Sequence, residues 1–537
     1  MSSSAAFYEW VEESDPAMFE EIKQRVAEGR WEIVGGWWIQ PDCNIPGGES
    51  FVRQGLYGQH YFKVKFGVTA TVGYNVDSFG HHGMLPQILL KSGLTSYVFL
   101  RPGPHEMGLP ARIFWWESDD SSRVLAFRIL YEYCTSGKEL ERHIQRCASE
   151  LKAPFDEMMC FYGVGNHGGG PTRANIESIK RLADDPTYPH LLFSTPGRFF
   201  DAIRQKVGAP RVGAPLSLPV VHDELQHHAS GCYVAHSGIK RWNREAENRL
   251  LVAEKFASVA FWETEQPYPK ELADAWKGVL FNQFHDILAG TSLEAAYDDA
   301  RNLYGEALAV ADRGLNHAVQ ALSWKIHIEP EEGMKPIIVF NPHAWTSKMN
   351  VEVEVGGLTD NHRLVDDENR AIPMQRVQSL ATARGRYRIS FVAELPSLGY
   401  RTYRLLPEGC PGWARGVLVA GPRGARCGPE EHRGVIRPPS EVEPIQATDS
   451  MMENDYFRLG FDPETGYISE FFDKRLGINM LLGPAARPAV MADTSDTWSH
   501  NTFCFDEEIG AFEAASVNLV QHGPVKSVIR VTSRYNR

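Results

Sequence analysis

The chain has 537 residues, too many for one compact core, so we expect two to four domains that each bury an apolar interior. Hydrophobic residues make up 43% of the chain and charged residues 23%, which is typical of folded globular proteins. The formal net charge of -13 argues against a nucleic-acid-binding protein, because such proteins cluster Lys and Arg on one face. A neutral or small polar substrate fits this charge better.

The cysteines and the start of the chain indicate the compartment. The eight cysteines include no CxxC pair, which argues against a zinc ribbon or a disulfide scaffold and favours a reducing compartment. No apolar run approaches the roughly 20 residues that a membrane helix needs, and the opening MSSSAAFYEWVEE lacks the features of an export signal. We therefore expect a cytoplasmic protein with no membrane partner.

Residues 1–215 are predicted to form an α/β domain with a largely parallel sheet, because helical stretches alternate there with short apolar runs. The pattern predicts a helix at residues 16–28. It also predicts strands at residues 31–34, 70–74 and 96–100.

The rest of the chain changes character three times. Residues 216–325 show three-to-four-residue apolar spacing with little Gly or Pro and are predicted to be helical. Residues 326–406 alternate apolar and polar side chains and are predicted to form a β domain. Residues 407–448 are rich in Pro, Gly and charge, typical of a linker or surface excursion, and residues 449–537 begin a second β domain.

The sequence VGYNVDSFGHHGMLPQIL places Asp77 directly after a predicted strand. Carboxylates in that position are where α/β barrels carry out catalysis. Alternatively, Asp77 caps the helix that follows, and His81 and His82 are packing residues. Spacing alone does not separate the two interpretations.

The sequence FNQFHDILAGTS places His285 beside Asp286 near a helix end. A His with a carboxylate neighbour is a common metal-ligand arrangement, in which the second group orients the first or contacts substrate. The competing interpretation is a histidine that complements the helix dipole. The presence of Asp77 elsewhere in the chain favours the metal site.

The sequence FYGVGNHGGGPT ends a predicted strand in three consecutive glycines. Glycines let the backbone approach a ligand closely, and Asn166 and His167 could donate to sugar hydroxyls. The pattern matches neither a Walker loop nor the GxGxxG fingerprint. A strained turn explains it equally well.

The sequence VVHDELQHHASGCYVAHS gathers acidic and histidine side chains where the α/β region gives way to helices, a favoured position for pockets. Such a cluster could supply a general acid, although a solvated polar loop would look the same. Its members are Asp223, Glu224, His227, His228 and His236.

The sequence WEIVGGWWIQPDCNIPGGES combines Trp37 and Trp38 with Asp42 and Asn44. Aromatic rings beside polar groups suit sugars, whose C–H faces pack on rings while their hydroxyls take directional hydrogen bonds. At least one of the two tryptophans is expected to be a core residue instead.

Five ordered motifs together resemble glycoside hydrolase family 38, the family of zinc-dependent, retaining α-mannosidases. They are GRWEIVGGWWIQPDCNIPGGESFVRQ, YNVDSFGHHGMLPQIL, HDELQHHASGCY, IKRWNREAENRLL and NQFHDILAGTS. The later FNPHAW and NDYFRLGFDPETGYISEFFDK segments resemble the C-terminal β domains of this family, so the resemblance extends along nearly the whole chain.

The resemblance implies a multidomain fold of α/β, then α, then β parts: an incomplete seven-stranded α/β barrel, a three-helix bundle and β-sandwich domains. It implies that Asp77 is both nucleophile and zinc ligand, and that His285 is another zinc ligand. Asp286 and Phe79 resemble residues that contact the sugar. The resemblance also implies that the general acid lies in the HDELQHHASG segment, with Glu224 the first choice and Asp223 the second.

Further sugar-binding candidates follow from the segments above. They are Trp38, Asn166, His167 and His228. The implied partner is an α-mannoside or a mannose-containing oligosaccharide, and a homo-oligomeric state is considered.

One departure from the family concerns the zinc ligands. The family's opening strand carries a His-x-Asp pair that supplies two more of them, whereas this chain already resembles later family sequence at residues 5–10. We therefore expect a fragment cut at both ends. With Asp77 and His285 alone it would bind zinc weakly, since zinc sites use three or four protein ligands, and it would show little or no activity by itself.

The mechanism implied is attack of Asp77 on the anomeric carbon, with the acid protonating the leaving oxygen and zinc binding the sugar 2- and 3-hydroxyls. Two other classes fit the same residues. One is a metal-dependent carbohydrate de-N-acetylase on a related barrel, which would spare aryl mannosides. The other is a non-catalytic sugar-binding relative, which would bind mannosides without turnover.

Overall fold

The computed structural model describes most of the chain: residues 3–135, 139–153, 155–165, 169–208, 217–226, 229–407, 445–500, 502 and 504–535. The chain divides into two compact units. The first comprises Met1–Glu254, Pro269–Leu315 and Ser495–Phe503, and the second comprises Lys255–Tyr268, Asn316–Thr494 and Cys504–Arg537. The five-segment division expected from the sequence remains a prediction, and most of its 407–448 segment lies outside the described residues.

The helices are α1 (Ala5–Ser14), α2 (Pro16–Ala27), α3 (Gly48–Phe66), α4 (Leu85–Lys91), α5 (Leu140–Ser149), α6 (Arg173–Ala183), α7 (Pro196–Gly208), α8 (Ser237–Thr264), α9 (Glu271–Asn282), α10 (His285–Ala289) and α11 (Glu294–Lys325). The strands of the first half are β1 (Val72–Tyr74), β2 (Ser96–Phe99), β3 (Ile113–Glu117), β4 (Arg123–Arg128) and β5 (Val220–Val221).

The strands of the second half are β6 (Lys335–Phe340), β7 (Ser347–Gly356), β8 (Arg363–Asp366), β9 (Ala371–Ile372), β10 (Met374–Val377), β11 (Arg386–Leu395), β12 (Tyr400–Leu406), β13 (Gln446–Thr448), β14 (Met451–Glu453), β15 (Phe457–Phe461), β16 (Ile468–Asp473), β17 (Ile478–Asn479), β18 (Ala489–Met491), β19 (Glu508–Ala511), β20 (Glu513–Gln521) and β21 (Val528–Arg534).

Local chemistry explains where α2 begins. The side chain of Asp15 accepts a hydrogen bond from the backbone N of Met18 at 3.0 Å, and Pro16 occupies the first turn. The cap satisfies one free N–H, and the proline has no N–H to satisfy there. The helix predicted at residues 16–28 therefore forms, with Glu28 as its C-cap.

The sheet of the first unit has five strands in the order β1-β2-β4-β3-β5. Pairs β1/β2, β2/β4 and β3/β5 are parallel, whereas β3 and β4 are antiparallel. The expected incomplete seven-stranded barrel is not found: the described residues form this open mixed sheet. The antiparallel pair arises because the short turn at residues 118–122, closed by a hydrogen bond from Ser118 N to Ser122 O of 2.9 Å, makes a hairpin.

The strand predicted at residues 31–34 does not form. Gly35 and Gly36 follow it with φ of 83° and 71°, conformations that turn the backbone out of the extended region and that glycine adopts at little cost. A single hydrogen bond from Gly35 N to Val72 O, 2.8 Å long, links this segment to β1. The apolar residues Ile33 and Val34 are therefore buried, but residues 31–34 do not pair as a strand of the sheet.

The predicted helical region does form long helices that contact one another in the first unit. Tyr304 on α11 donates to Asn243 on α8 at 3.3 Å, and Asn282 on α9 donates to the carbonyl of Ala300 on α11 at 3.2 Å. The three-helix arrangement itself stays a prediction. Among the described residues, no helix combines the length and apolar character needed to cross a membrane.

The second unit is rich in strands, as the alternating pattern predicts. One sheet has the order β10-β11-β7 and another the order β6-β12-β8-β9. One apolar cluster draws side chains from both sheets, including Ile389 and Phe391 of β11 with Tyr403 and Leu405 of β12. The expected β-sandwich remains a prediction.

Candidate active site

Three neighbouring parallel strands bring together the polar residues that follow them. Asp77 follows β1, Arg101 follows β2 and Tyr133 follows β4. Arg101 Nε donates to Asp77 Oδ1 at 2.7 Å, and Tyr133 OH donates to Asp77 Oδ2 at 2.7 Å. The carboxyl ends of these strands thus hold one carboxylate by both of its oxygens, as expected for the catalytic edge of a parallel sheet.

The surroundings of Asp77 favour its ionised form. Burial opposes ionisation, but the electrostatic interactions with His285 and Arg101, with the hydrogen bonds from Tyr133 and Arg101, outweigh burial and hold the pKa of Asp77 below its ordinary value. A carboxylate that is ionised, half-buried and fixed in position can act as a nucleophile or as a metal ligand.

His285 opens the short helix α10 and is fully buried. Its Nδ1 lies 3.1 Å from the carbonyl of Gln40 and donates to it, so in the neutral ring Nε2 carries the lone pair. This Nε2 lies 4.0 Å from Asp77 Oδ2 and 3.7 Å from Asp286 Oδ2. It has no hydrogen-bond partner in the described part of the chain.

The donor atoms of Asp77 and His285 have the chemistry that a zinc ion requires of its ligands. A buried lone pair facing two carboxylates is unfavourable unless a proton or a cation lies between them. A backbone carbonyl that fixes the ring through Nδ1 is the usual support of a metal-ligating histidine. The pair Asp77 and His285 therefore fits zinc, but it supplies two close donors where zinc sites use three or four protein ligands.

Asp42 adds a buried carboxylate that the sequence analysis assigned only as a polar neighbour of the tryptophans. Its Oδ1 accepts from the backbone N of Asn44 at 2.9 Å and of Ile45 at 2.8 Å. Its Oδ2 has no hydrogen-bond partner among the described residues. Burial raises the pKa of Asp42, and the hydrogen bonds from the backbone N of Ile45 and Asn44 partly oppose this rise.

Phe79 and Asp286 flank His285. The Phe79 ring is buried, with its centroid 6.1 Å from that of His285 and the two rings nearly perpendicular. Asp286 is half-buried, and its Oδ1 accepts from Thr291 Oγ1 at 3.0 Å. The sequence-predicted residues Asp77, Phe79, His285 and Asp286 thus lie together.

A segment near the C-terminal end of the sequence also belongs to the first unit, which contains Asp77 and His285. Ser495–Phe503 belongs to the first unit although it lies within the predicted C-terminal β domain. Trp498 packs in one apolar cluster with Phe79, Cys232 and Ala289, and its ring stacks on that of His500 with a centroid distance of 5.8 Å. No local sequence pattern predicts this contribution of Trp498.

Glu224 and Asp223 are exposed and follow the edge strand β5. The next residue, Leu225, exchanges two backbone hydrogen bonds of 2.8 Å with His81. Their segment therefore pairs with the residues that follow Asp77. No described hydrogen bond or ion pair joins either carboxylate to Asp77 itself.

His81 and His82 are structural. His81 is fully buried, accepts from Tyr97 OH at Nδ1 (3.0 Å) and donates from Nε2 to the carbonyl of Arg101 at 2.9 Å. Burial lowers the pKa of His81 to about 3 and that of His82 to about 4. The His81 ring is thus neutral, and its hydrogen bonds to Tyr97 and to the carbonyl of Arg101 hold the backbone of Arg101 in place.

Of the four other predicted sugar-binding residues, the structure describes Trp38. Trp38 is buried, lines a cavity of about 430 Å³ with Glu9, Glu12 and Tyr61, and has the ammonium of Lys277 over its ring at 4.7 Å. None of its described contacts reaches Asp77. Three other predicted residues lie outside the described part of the chain: Asn166, His167 and His228.

Sequence reasoning also missed Arg101 and Tyr133. Arg101 stands directly after the strand predicted at residues 96–100, the same position relative to its strand that singled out Asp77. That signal could have found Arg101. Tyr133 follows β4 after several irregular residues, and no local pattern marks it.

Comparison with known proteins places these observations in a family. Alpha-mannosidase G of Dictyostelium discoideum is 26% identical over 98% of this chain and 48% of its own length. Alpha-mannosidase 2C1 of Mus musculus is 30% identical over 64% of this chain and 32% of its own. The chain therefore spans about half or less of the length of these curated relatives.

A solved structure has the same fold. An alpha-mannosidase from Enterococcus faecalis V583 superposes with a TM-score of 0.75 at 19% identity, over 97% of this chain and 60% of that one. A model of the glycosyl hydrolases family 38 N-terminal domain matches residues 1–230, and a model of the alpha mannosidase middle domain matches residues 227–322. These two matches together cover more than half of the sequence, and the chain belongs to glycosyl hydrolase family 38.

Proposed function

We propose that this chain carries the catalytic part of a zinc-dependent α-mannosidase that hydrolyses terminal α-mannosides with retention of configuration. One observation carries the proposal: Asp77 is held by both oxygens at the carboxyl edge of the sheet, with its pKa lowered. An ionised carboxylate fixed in this way is what a covalent glycosidase mechanism requires of its nucleophile. The names of the relatives supply the mannoside.

Asp77 is assigned as the nucleophile. One of its oxygens forms a bond to the anomeric carbon while the bond from that carbon to the leaving oxygen breaks, and an acid gives its proton to the leaving oxygen. Water then attacks the same carbon, releases Asp77 and returns a proton to the acid. Arg101 and Tyr133 keep the carboxylate ionised and aligned by the two hydrogen bonds described above.

Glu224 is assigned as the acid, with Asp223 as the second choice. The support is positional: their segment pairs with His81 through Leu225 and so lies beside the residues that follow Asp77. Retaining enzymes hold the two carboxyl groups roughly 5 Å apart. Both side chains are exposed, and the assignment requires one of them to reach that separation when the sugar is bound.

Zinc would be held by Asp77 and His285, and when bound it supplies a positive charge that binds the vicinal 2- and 3-hydroxyls of mannose. Two close protein donors predict weak zinc binding by this chain. Asp286, beside His285, would accept a hydrogen bond from a sugar hydroxyl, and Phe79 would pack on a C–H face. A sugar role for Trp38, Asn166, His167 and His228 stays a prediction.

The wider setting is also proposed. The substrate class is a mannose-containing oligosaccharide, following the relatives' names. The cytoplasmic location, the homo-oligomeric state and the lack of a nucleic-acid partner stay predictions from the sequence.

The test is release of the aryl alcohol from an aryl α-mannoside by the purified chain, with added zinc and with a chelator. Because the chain alone is expected to bind zinc weakly and to have little activity, zinc is supplied in excess, and we expect slow, zinc-dependent release. Asp77→Asn should abolish this release, and the control Asp119→Asn, at an exposed side chain, should leave it unchanged. Polarimetry or NMR of the first-formed sugar should show the α-anomer. A first-formed β-anomer would contradict retention, and equal rates for Asp77→Asn and the parent chain would contradict the assignment of Asp77.

A further inference from the structure

A second group of potential metal ligands lies on helix α5, apart from the Asp77 cluster. His143 and Cys147 are one helical turn apart and face the same side, as residues at positions i and i+4 do. Cys160 meets them from the segment that follows α5. The donor atoms of all three residues lie within 4.8 Å of one another.

The spacing suits a tetrahedral ion. His143 Nε2 and Cys147 Sγ are 3.7 Å apart. A zinc ion with bonds of about 2.3 Å to sulfur and about 2.0 Å to nitrogen separates its ligand atoms by roughly 3.5–3.8 Å. The His143–Cys147 pair therefore already has the separation that one shared ion requires, and the Cys160 sulfur lies within 4.8 Å of both.

The surroundings favour a soft cation. His143 and Cys147 are buried, while Cys160 is more accessible. Apolar side chains surround the group: Leu140, Ile144, Ile179 and Leu182 are buried there, and Cys160 packs against them. Thiolates with an imidazole select zinc over the hard cations magnesium and calcium, which take oxygen ligands.

The group is chemically distinct from the proposed catalytic site. It contains two sulfur donors and no carboxylate, and it shares no ligand with Asp77 and His285. Among the described residues, no other group of three or more His, Cys, Asp or Glu side chains has all of its potential ligand atoms within 4.8 Å of one another. Nothing in the mannosidase mechanism uses it.

The site would also connect two pieces of backbone. Cys160 lies in a stretch without helix or strand, and Gly163 in the same stretch accepts a hydrogen bond from Thr135 N at 2.9 Å. A metal bonded to both α5 and Cys160 would fix that stretch, because each metal–sulfur bond replaces a weak contact by a strong one.

We propose that His143, Cys147 and Cys160 form a thiolate-rich zinc site with three protein ligands and a water in the fourth position, which ties α5 to the stretch that contains Cys160. Two thiolates balance the charge of Zn²⁺, so the complex is neutral within its apolar surroundings. The role is structural and independent of whether the chain hydrolyses mannosides.

The test uses Co²⁺ as a spectroscopic probe on the full chain, reduced and freed of metal. Thiolate ligation gives a sulfur-to-cobalt charge-transfer absorption that the Asp77 and His285 donors cannot give. We expect one equivalent of cobalt to produce this band and zinc to displace it. Cys147→Ser and Cys160→Ser should each weaken cobalt binding by roughly 100-fold or more, while Cys504→Ser should match the parent chain.

A second measurement decides the matter even where those variants fail to fold. In the unmodified chain, zinc should slow alkylation of Cys147 and Cys160, mapped by peptide mass spectrometry, while the exposed Cys504 reacts at an unchanged rate. Absence of the charge-transfer band in the reduced chain would overturn the proposal. Equal alkylation rates with and without zinc, or a Cys147–Cys160 disulfide in the protein as purified, would overturn it too.

Discussion

Tyr133 donates its hydroxyl hydrogen to Oδ2 of Asp77 at 2.7 Å, the same oxygen that faces His285. A hydrogen bond to an ionised carboxylate is among the stronger ones in proteins. Because Tyr133 is itself buried beside Asp77, its pKa is raised and it remains a donor at any physiological pH. The phenol thus stabilises the charged form of Asp77 without competing for its proton.

Replacing Tyr133 by Phe removes this bond and keeps the aromatic ring. We expect the pKa of Asp77 to rise, the acidic limb of the kcat/KM profile to move to higher pH, and activity at neutral pH to fall by roughly tenfold or more. The matched control is Tyr131→Phe, which removes a similar bond of 2.8 Å, to Glu150. An unchanged acidic limb in Tyr133→Phe would contradict the role given to the phenol.

Asp42 offers a prediction about metal affinity. Asp42→Asn keeps the acceptor that binds the backbone N of Asn44 and Ile45 but removes a buried negative charge. We expect the metal-free variant to unfold at a higher temperature, since a buried charge is costly, and zinc affinity by calorimetry to fall by roughly tenfold or more.

The control for this substitution is Asp462→Asn, whose Oδ1 accepts from two backbone N–H groups in the same way but at an exposed turn. It should change neither quantity. Zinc affinity unchanged in Asp42→Asn would show that Asp42 does not contribute to the electrostatics of the site.

Trp498 offers a prediction about substrate binding. The Trp498 ring packs with Phe79 beside His285, so its loss should remove apolar surface from the proposed sugar-binding site. We expect Trp498→Ala to raise KM for an aryl α-mannoside by about tenfold with a smaller change in kcat. The control is the exposed Trp345→Ala in the second unit. An unchanged KM in Trp498→Ala would show that this ring does not contribute to sugar binding.

His81 makes a prediction about stability against pH. Its folded-state pKa is lowered to about 3, below the roughly 6.5 of an unfolded histidine. Between these values the unfolded chain binds more protons, so the stability contributed by neutral His81 is full above pH ~6.5 and declines as pH falls toward 3.

The measurement is the free energy of unfolding by urea as a function of pH. His81→Gln should flatten the slope in this window, with His82 supplying part of what remains because its pKa is also lowered, to about 4. His105→Gln, at an exposed side chain, should leave the slope unchanged. A slope that is equal in His81→Gln and the parent chain would contradict the neutral, buried assignment.

Much of the site could be predicted from local pattern. Asp77 ends a short apolar run, and His285 with Asp286 stands at the end of a periodic helical stretch, so each could be singled out without the fold. The resemblance to a family then joined them. The family match of residues 1–322 confirms that resemblance.

What could not be predicted depends on contacts between distant residues. Tyr133 reaches Asp77 because β4 pairs with β2, although β3 precedes β4 in sequence, and strand order is not encoded in local periodicity. Trp498 approaches Phe79 from the opposite end of the chain. In the segment before Gly35 the local pattern was misleading instead. Its apolar residues predict a strand, but Gly35 and Gly36 turn the backbone and no strand forms.

The central claim is that Asp77 forms a covalent bond to mannose, and trapping that bond tests it most directly. The chain, loaded with zinc, is incubated with a fluorinated mannosyl fluoride that slows breakdown of the intermediate, then digested for peptide mass spectrometry. We predict one fluoromannosyl group, on the peptide containing Asp77 and on that residue. A label on another carboxylate, or zinc-dependent turnover of aryl mannoside by Asp77→Asn, would contradict the account.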